Sequence, residues 1–480
     1  MKHPHVVIIM ADQLRYDAFG EHTPHLNQLR NESTVFEHAY CASPLCVPAR
    51  GSFFTGKYPN ITGALHNAKI EVEKQNGMVK SEHINLYDLM DHKWDSWHTG
   101  KMDFRTEQKI ERNSKSKTNW LPLEPRYGQF LKEHHKKRPG GNEFRGVLPN
   151  LLHGKRTYTS YASTPKTGCY QENFKYFYDG FILHDTLHAI SNRDKRKPFL
   201  LNAMFFAPHP PLDIPEPWYS KIQKVNLPEN VGVWGENQSP LQLYNLTGIM
   251  GANKSREDWR EVWRVYQGFV SMLDDCVGQV VQALKTEGIY DQSLIIFTSD
   301  HGEMLGSHRL WQKMCMYEES IRTPLFMKFP KQDYIHRHLI KENVSSIDIL
   351  PTLCDYLQIK PPDDCSGLSL MPLLQKQSIA RENIFVQYDG NGSSSNFSRC
   401  IIQGDNKLIV DFFKDEVFIE LYNKAADPQE MNNLAFEIAY KDVVESLLDD
   451  LRTHMVETKD SLTLNKSIYS EFVRDYKELT

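Results

Sequence analysis

The sequence predicts an α/β protein with a large mixed, mostly parallel sheet flanked by helices, followed by a smaller C-terminal subdomain built on an antiparallel sheet. Three observations predict it. First, the apolar runs Val6 to Met10 and Ser293 to Thr298 each lead into an acid beside a second polar group, Asp12-Gln13 and Asp300-His301. A buried parallel strand delivers polar side chains to its C-terminal edge in this way, and ligands in open α/β sheets collect there. Second, the stretch from Arg256 to Glu287 repeats Trp259, Trp263, Tyr266, Phe269, Leu273, Val277, Val280 and Leu284 at helical spacing, which is one broad apolar face of a long helix. Third, from about Ser378 the pattern becomes hairpin-like, with Ile401, Ile402, Leu408, Ile409, Val410, Val417, Phe418 and Ile419, as in an antiparallel sheet. A chain of 480 residues exceeds one simple core, so we expect an α/β catalytic domain over 1–377 and an α+β subdomain over 378–480.

In chain order, Thr23-Pro24 opens a helix running to Arg30, since proline suits a first helical turn. Thr34 to Tyr40 is the next strand. Cys46-Val47-Pro48-Ala49-Arg50 reads as a buried strand end, a turn made by Pro48, and a helix from Gly51 or Ser52. A helix is expected from Ile84 to His92 and a strand over Trp94 to Trp97, ahead of His98-Thr99-Gly100-Lys101-Met102-Asp103. Residues from about 104 to 195 are rich in Lys, Arg, Asn and Gly, with an exposed loop at 136–146; they read as insertions that shape substrate access. Phe199 to Ala207 is a buried strand running into Pro208-His209-Pro210-Pro211. The core pattern ends near Leu374, and a helical stretch closes the chain.

Apolar content of 40% and charged content of 24% describe an ordinary globular protein. The net charge of −5 makes no electrostatic case for nucleic acid or an anionic membrane, so any anion site is local. Val6 to Met10 is too short for a signal peptide or a membrane span. The eight cysteines lack C-x-x-C spacing, against a disulfide scaffold or zinc ribbon. The expectation is a reduced, cytoplasmic protein; the sequence is compatible with a homo-oligomer.

A cysteine and an arginine four residues apart at a helix N-terminus face one pocket, where free N–H groups favour an anion. Asp12, Gln13, Asp300 and His301, at two strand ends, offer hard oxygen donors and an imidazole, a set that suits Ca²⁺ or Mg²⁺ better than zinc. Taken singly, a lysine is usually a solvated charge and a histidine between prolines is usually structural. Their order along one chain is what raises them.

That order is D-Q (12–13), C-x-P-x-R (46–50) followed by T-G-K-Y-P, G-K (100–101), P-H-P (208–210), S-D-H-G (299–302), Lys313 in HRLWQKMCMYEES, and a late ELYN segment. It resembles the type I sulfatases of the alkaline-phosphatase-like superfamily, and within them choline-sulfatase-like and iduronate-sulfatase-like members. The resemblance implies that Cys46 is oxidised by a formylglycine-generating enzyme to formylglycine, whose hydrate is the nucleophile, with Arg50 holding it. It implies a divalent metal, usually calcium, at Asp12, Gln13, Asp300, His301 and the oxygen at position 46. Lys101 would contact the sulfate, and His209 and Lys313 would assist the leaving oxygen. Three positions depart from the family pattern: Ala49 replaces a frequent serine, Gln13 replaces a second aspartate, and Asp103 stands where a histidine is expected, as an acid or as a positioning group. The implied activity is hydrolysis of a small or carbohydrate sulfate ester. The alternatives are a phosphonate or phosphate ester hydrolase on the same scaffold, and a non-catalytic sulfate-binding member.

Overall fold

The computed structural model describes residues 3–68, 71–152, 156–333, 335, 338–377, 381–392 and 394–479. Its strands are β1 His5–Asp12, β2 Thr34–Tyr40, β3 Asp95–Gly100, β4 Asn119–Pro122, β5 Arg145–Leu152, β6 Arg156–Ser163, β7 Thr167–Tyr170, β8 Phe199–Pro208, β9 Leu212–Pro215, β10 Ser293–Ser299, β11 Arg322–Lys328, β12 Leu339–Ser345, β13 Asn383–Tyr388, β14 Phe397–Gln403, β15 Asn406–Phe413 and β16 Glu416–Asn423. Eight of them form one sheet in the order β12-β2-β11-β10-β1-β8-β3-β4. β1 pairs in parallel with both β10 and β8, and only β11 runs antiparallel to its neighbours. The expected mixed, mostly parallel sheet is therefore present.

β1 is central because both of its faces are apolar. Val7, Ile9 and Ala11 join a core with the helices Arg256–Thr286 and Tyr178–Asn192, whereas Val6, Ile8 and Met10 join a second core with the helices Cys46–Thr55 and Ile349–Leu357. Alternation of side chains along a strand sends the two sets to opposite faces. Each of these aliphatic side chains is fully buried, and for Val, Ile and Met that contributes about 1.5–3 kcal/mol apiece. A polar residue on either face of β1 therefore opposes the fold.

The long helix Arg256–Thr286 starts with a capping box between Ser255 and Asp258. One of its inward acids, Asp274, accepts from the backbone N–H groups of His25 and Leu26. It thereby caps the helix Pro24–Asn31, whose Thr23 makes no side-chain cap. The four strands β13 to β16 form the expected antiparallel sheet, covered by the helices Lys441–Glu457 and Ile468–Leu479. Lys407 of that sheet is buried between Glu318, 2.9 Å away, and Glu430, 2.5 Å away, which ties it to the main body. The boundary expected at 377/378 adjoins residues 378–380, outside the described residues.

Two expectations are corrected. The helix of the cysteine loop begins at Cys46, not at Gly51 or Ser52, and Pro48 lies inside its first turn. A first turn has no intrahelical use for the N–H that proline lacks. The segment 104–195 is more than loop: it carries β4 to β7 and the helices Arg126–Glu133 and Tyr178–Asn192. Among the described residues no helix is long and apolar enough to cross a membrane.

His98 of β3 is buried with Nδ1 2.7 Å from the Tyr87 hydroxyl, and burial together with the Arg50 charge holds its pKa down at about 3. Between that value and the ordinary 6.5, the unfolded chain binds a proton at this site and the folded chain does not, so this group's contribution to stability rises with pH. We expect the stability advantage of wild type over His98→Gln, read by denaturant titration, to shrink by roughly 2 kcal/mol between about pH 7 and pH 5. An equal gap at both pH values would show that His98 titrates normally in the fold.

Candidate active site

The C-terminal ends of β1 and β10 lie side by side, with Ala11 opposite Ser299, so Asp12 and the Asp300-His301 pair emerge at one point on the sheet edge. The helix Cys46–Thr55 points its N-terminus at the same place. Its first residue is Cys46, and Arg50, one turn on, lies on the same face. Ligand atoms of Asp12, Cys46, Asp300 and His301 all fall within 4.8 Å of one another, and all four residues are buried. The Cys46 thiol is 3.2 Å from His301 Nε2 and 3.9 Å from Asp12 Oδ1.

Arg50 bridges the two carboxylates, donating from Nε to Asp300 at 3.0 Å and from Nη2 to Asp12 at 3.1 Å. Its third nitrogen, Nη1, is buried without a hydrogen-bond partner among the described residues. A buried charged donor left unsatisfied is costly, and a bound anionic oxygen would satisfy it. Lys101 donates to Asp12 and, at 3.1 Å, to Asp103, while Arg105 supports Asp103 at 3.3 Å. Burial alone would push the Asp12 carboxyl up, but Lys101, His209 and Arg50 outweigh it and hold it well below the usual range. Asp103 behaves likewise: burial is outweighed by Lys101 and Arg105, and the group stays ionised. The Cys46 thiol is pushed up to about 11 by burial and by Asp12, so at neutral pH it is a thiol and a weak nucleophile.

Gln13 departs from the expected ligand set in a specific way. Its backbone adopts φ 67°, a left-handed conformation uncommon for a residue with a side chain, directly after the strand ends. Its side-chain amide donates to Glu303 and accepts from Lys313, while its backbone N–H donates to Asp300 at 3.1 Å. Gln13 thus links the acidic cluster to a second pair, because Lys313 Nζ also lies 3.2 Å from His209 Nε2. His209 Nδ1 faces the Pro210 carbonyl, so Nδ1 carries the hydrogen and Nε2 accepts from Lys313. Burial and the Lys313 charge hold His209 well below its ordinary pKa. Glu303, whose carboxyl burial raises, anchors Gln13; its sequence signal is only that it ends the S-D-H-G-E run.

Every candidate residue read from the sequence therefore lies in one connected network. Lys101, Asp103 and His209 also line a cavity of about 980 Å³, with Trp120, Tyr178 and Phe206 among its aromatic walls. Two carboxylates, an imidazole and a buried free donor fit a divalent cation together with an anionic ligand.

Comparison with known proteins points the same way. The sequence pattern of the family described as Sulfatase matches residues 4–359, and that of the N-sulphoglucosamine sulphohydrolase C-terminal region matches 306–457. The chain is 25% identical to an arylsulfatase of Clostridium perfringens, over 92% of each chain. It is 27% identical to a choline-sulfatase of Rhizobium meliloti, over 90% of this chain and 82% of that one. The fold superposes on a phosphonate monoester hydrolase of Agrobacterium radiobacter with a TM-score of 0.75 at 21% identity, covering 95% and 96% of the two chains. Most of the chain's length is thus accounted for by one lineage, and the protein belongs to the sulfatase family of sulfuric ester hydrolases.

Proposed function

We propose that the chain hydrolyses a small or carbohydrate sulfate ester through formylglycine made from Cys46, with a divalent cation, Ca²⁺ in preference to Mg²⁺, held by Asp12, Asp300, His301 and residue 46. The observation that carries this reading is the burial of Cys46 at a helix N-terminus inside that donor set, where an unmodified thiol stays protonated. The cation supplies charge stabilisation at the sulfate oxygens. The hydrated aldehyde supplies two hydroxyls on one carbon, one to attack sulfur and one to release sulfate by giving up its proton.

The chain's own residues divide the remaining work. Arg50 fixes both acids and keeps one donor for an anionic oxygen. Lys101, held charged because Asp103 and Asp12 outweigh its burial, places a fixed cation on the cavity wall. Asp103 is ionised, so it positions Lys101 and is no acid. Lys313 Nζ is the proton-bearing atom of the Lys313–His209 pair, and its proton goes to the departing alkoxide while neutral His209 orients Nζ. Gln13, bonded to Lys313 and Glu303 through its side chain, acts as a positioning group between the two halves. The cysteines are all free thiols, which supports a reducing compartment, the cytoplasm.

Protein co-expressed with a formylglycine-generating enzyme, its conversion checked by peptide mass, should turn over 4-nitrophenyl sulfate, and Cys46→Ala should fall to background. A higher kcat/KM for a phenylphosphonate monoester would move the chemistry to phosphorus. Lys313→Met should lower kcat by about 10²–10⁴-fold on an alkyl or sugar sulfate, and far less on 4-nitrophenyl sulfate, whose leaving group needs little protonation. An equal loss on both esters would remove Lys313 from the proton-donor role. Chelator-treated enzyme should lose turnover and regain it with Ca²⁺, and added Ca²⁺ should raise Tm, with stabilisation of about 2.7 kcal/mol at a hundredfold excess over Kd. A Tm insensitive to Ca²⁺ and Mg²⁺ would count against the metal site.

A further inference from the structure

The cavity beside Lys101 and His209 is strongly basic in a chain that is acidic overall. Eight of its lining residues are Lys or Arg and three are Asp or Glu, against a net charge of −5 for the whole sequence. Setting aside Lys101 and Arg126, which are paired to Asp12 and Asp185, the cations still outnumber the lining acids two to one. Three of them stand out. Lys109 and Arg112 are exposed and have no carboxylate partner among the described residues. Arg145, also exposed, donates to the Ser163 hydroxyl at 3.0 Å and has no carboxylate partner among the described residues.

Isolated surface cations are usually just solvated. Lys109 and Arg112 flank one short turn, and Arg145 opens β5 more than thirty residues later, yet all three line one concave volume that also holds Lys101 and His209, where low-dielectric walls focus the field. At about 980 Å³ the cavity is at the upper end of the roughly 300–1,000 Å³ typical of ligand sites. That is far more room than the sulfate group alone fills.

We propose that this cavity is a second-anion subsite: the substrate is a sulfate ester carrying at least one further sulfate or carboxylate group, bound by Lys109, Arg112 and Arg145. The inference rests on the sulfate-ester reading above and narrows it. The same wall repels a cationic ester, so the quaternary ammonium of a choline ester meets like charge here.

The test is calorimetric binding to the unconverted chain, expressed without a formylglycine-generating enzyme, in the presence of Ca²⁺. D-glucosamine-2-N,6-O-disulfate should bind about tenfold or more tightly than N-acetyl-D-glucosamine 6-O-sulfate, which is uncharged at the 2-position, and choline sulfate should bind most weakly. The advantage of the disulfate should shrink in the Lys109→Gln/Arg112→Gln double variant, in Arg145→Gln, and at about 0.5 M salt. Equal affinities for the two glucosamine esters, or an advantage that survives both sets of substitutions, overturns the subsite. Hydrolysis of 4-nitrophenyl sulfate by converted enzyme tests the reaction separately. Hydrolysis without the binding advantage overturns the subsite alone, and the binding advantage without hydrolysis supports the subsite while overturning the reaction.

Discussion

The architecture turns on one buried ion triad, Arg50 between Asp12 and Asp300. Removing three charged groups from water carries a desolvation penalty of several kcal/mol per ion, and the attraction offsets it only with good geometry. The guanidinium meets the condition by donating to each carboxylate from a different nitrogen. To do so, the helix must start at Cys46, the ends of β1 and β10 must be in register, and the strands carrying them must be central and covered on both faces. Each larger feature of the fold supplies one of these requirements.

The same triad shows why the site sits under tension. Asp12 is shared by Arg50 and Lys101, so two cationic side chains converge on one buried carboxylate. Gln13 follows immediately in a left-handed conformation that costs a non-glycine residue about 1–2 kcal/mol. His308, Arg309, Gln312 and Met314, around Lys313, also have positive φ. Unfavourable backbone conformations concentrated on both sides of a Lys–Gln contact are what a site looks like when placement of side chains outweighs local comfort.

Much of this was legible in the sequence because it depended on local periodicity. The apolar runs of β1, β8 and β10, the long helix from Arg256 and the alternation of β14 to β16 all carry their own pattern. The i, i+4 spacing of Cys46 and Arg50 implied a shared face. Pro48 misled, since a proline can end one segment or sit inside a first turn, and only the packing of the helix decides which. Glu303 and its hold on Gln13 were illegible because the two residues, 290 positions apart, meet only through the parallel pairing of their strands. The segment 104–195 hid its strands because β4 and β7 are only four residues long, too short to show a period, and β5 and β6 pair only with each other, apart from the main sheet.

The near-complete burial of Cys46, 3% exposed, bears on how a working molecule is made. The helix that carries it is buried at every position, so the side chain cannot be presented to another macromolecule without dismantling the core on one face of the sheet. The conversion proposed for Cys46 would therefore have to precede folding. Synthesis would then be a race between modification of an extended segment and closure of the sheet around it. The fraction of converted molecules would be decided once, at birth, and a chain that folded first would keep its thiol.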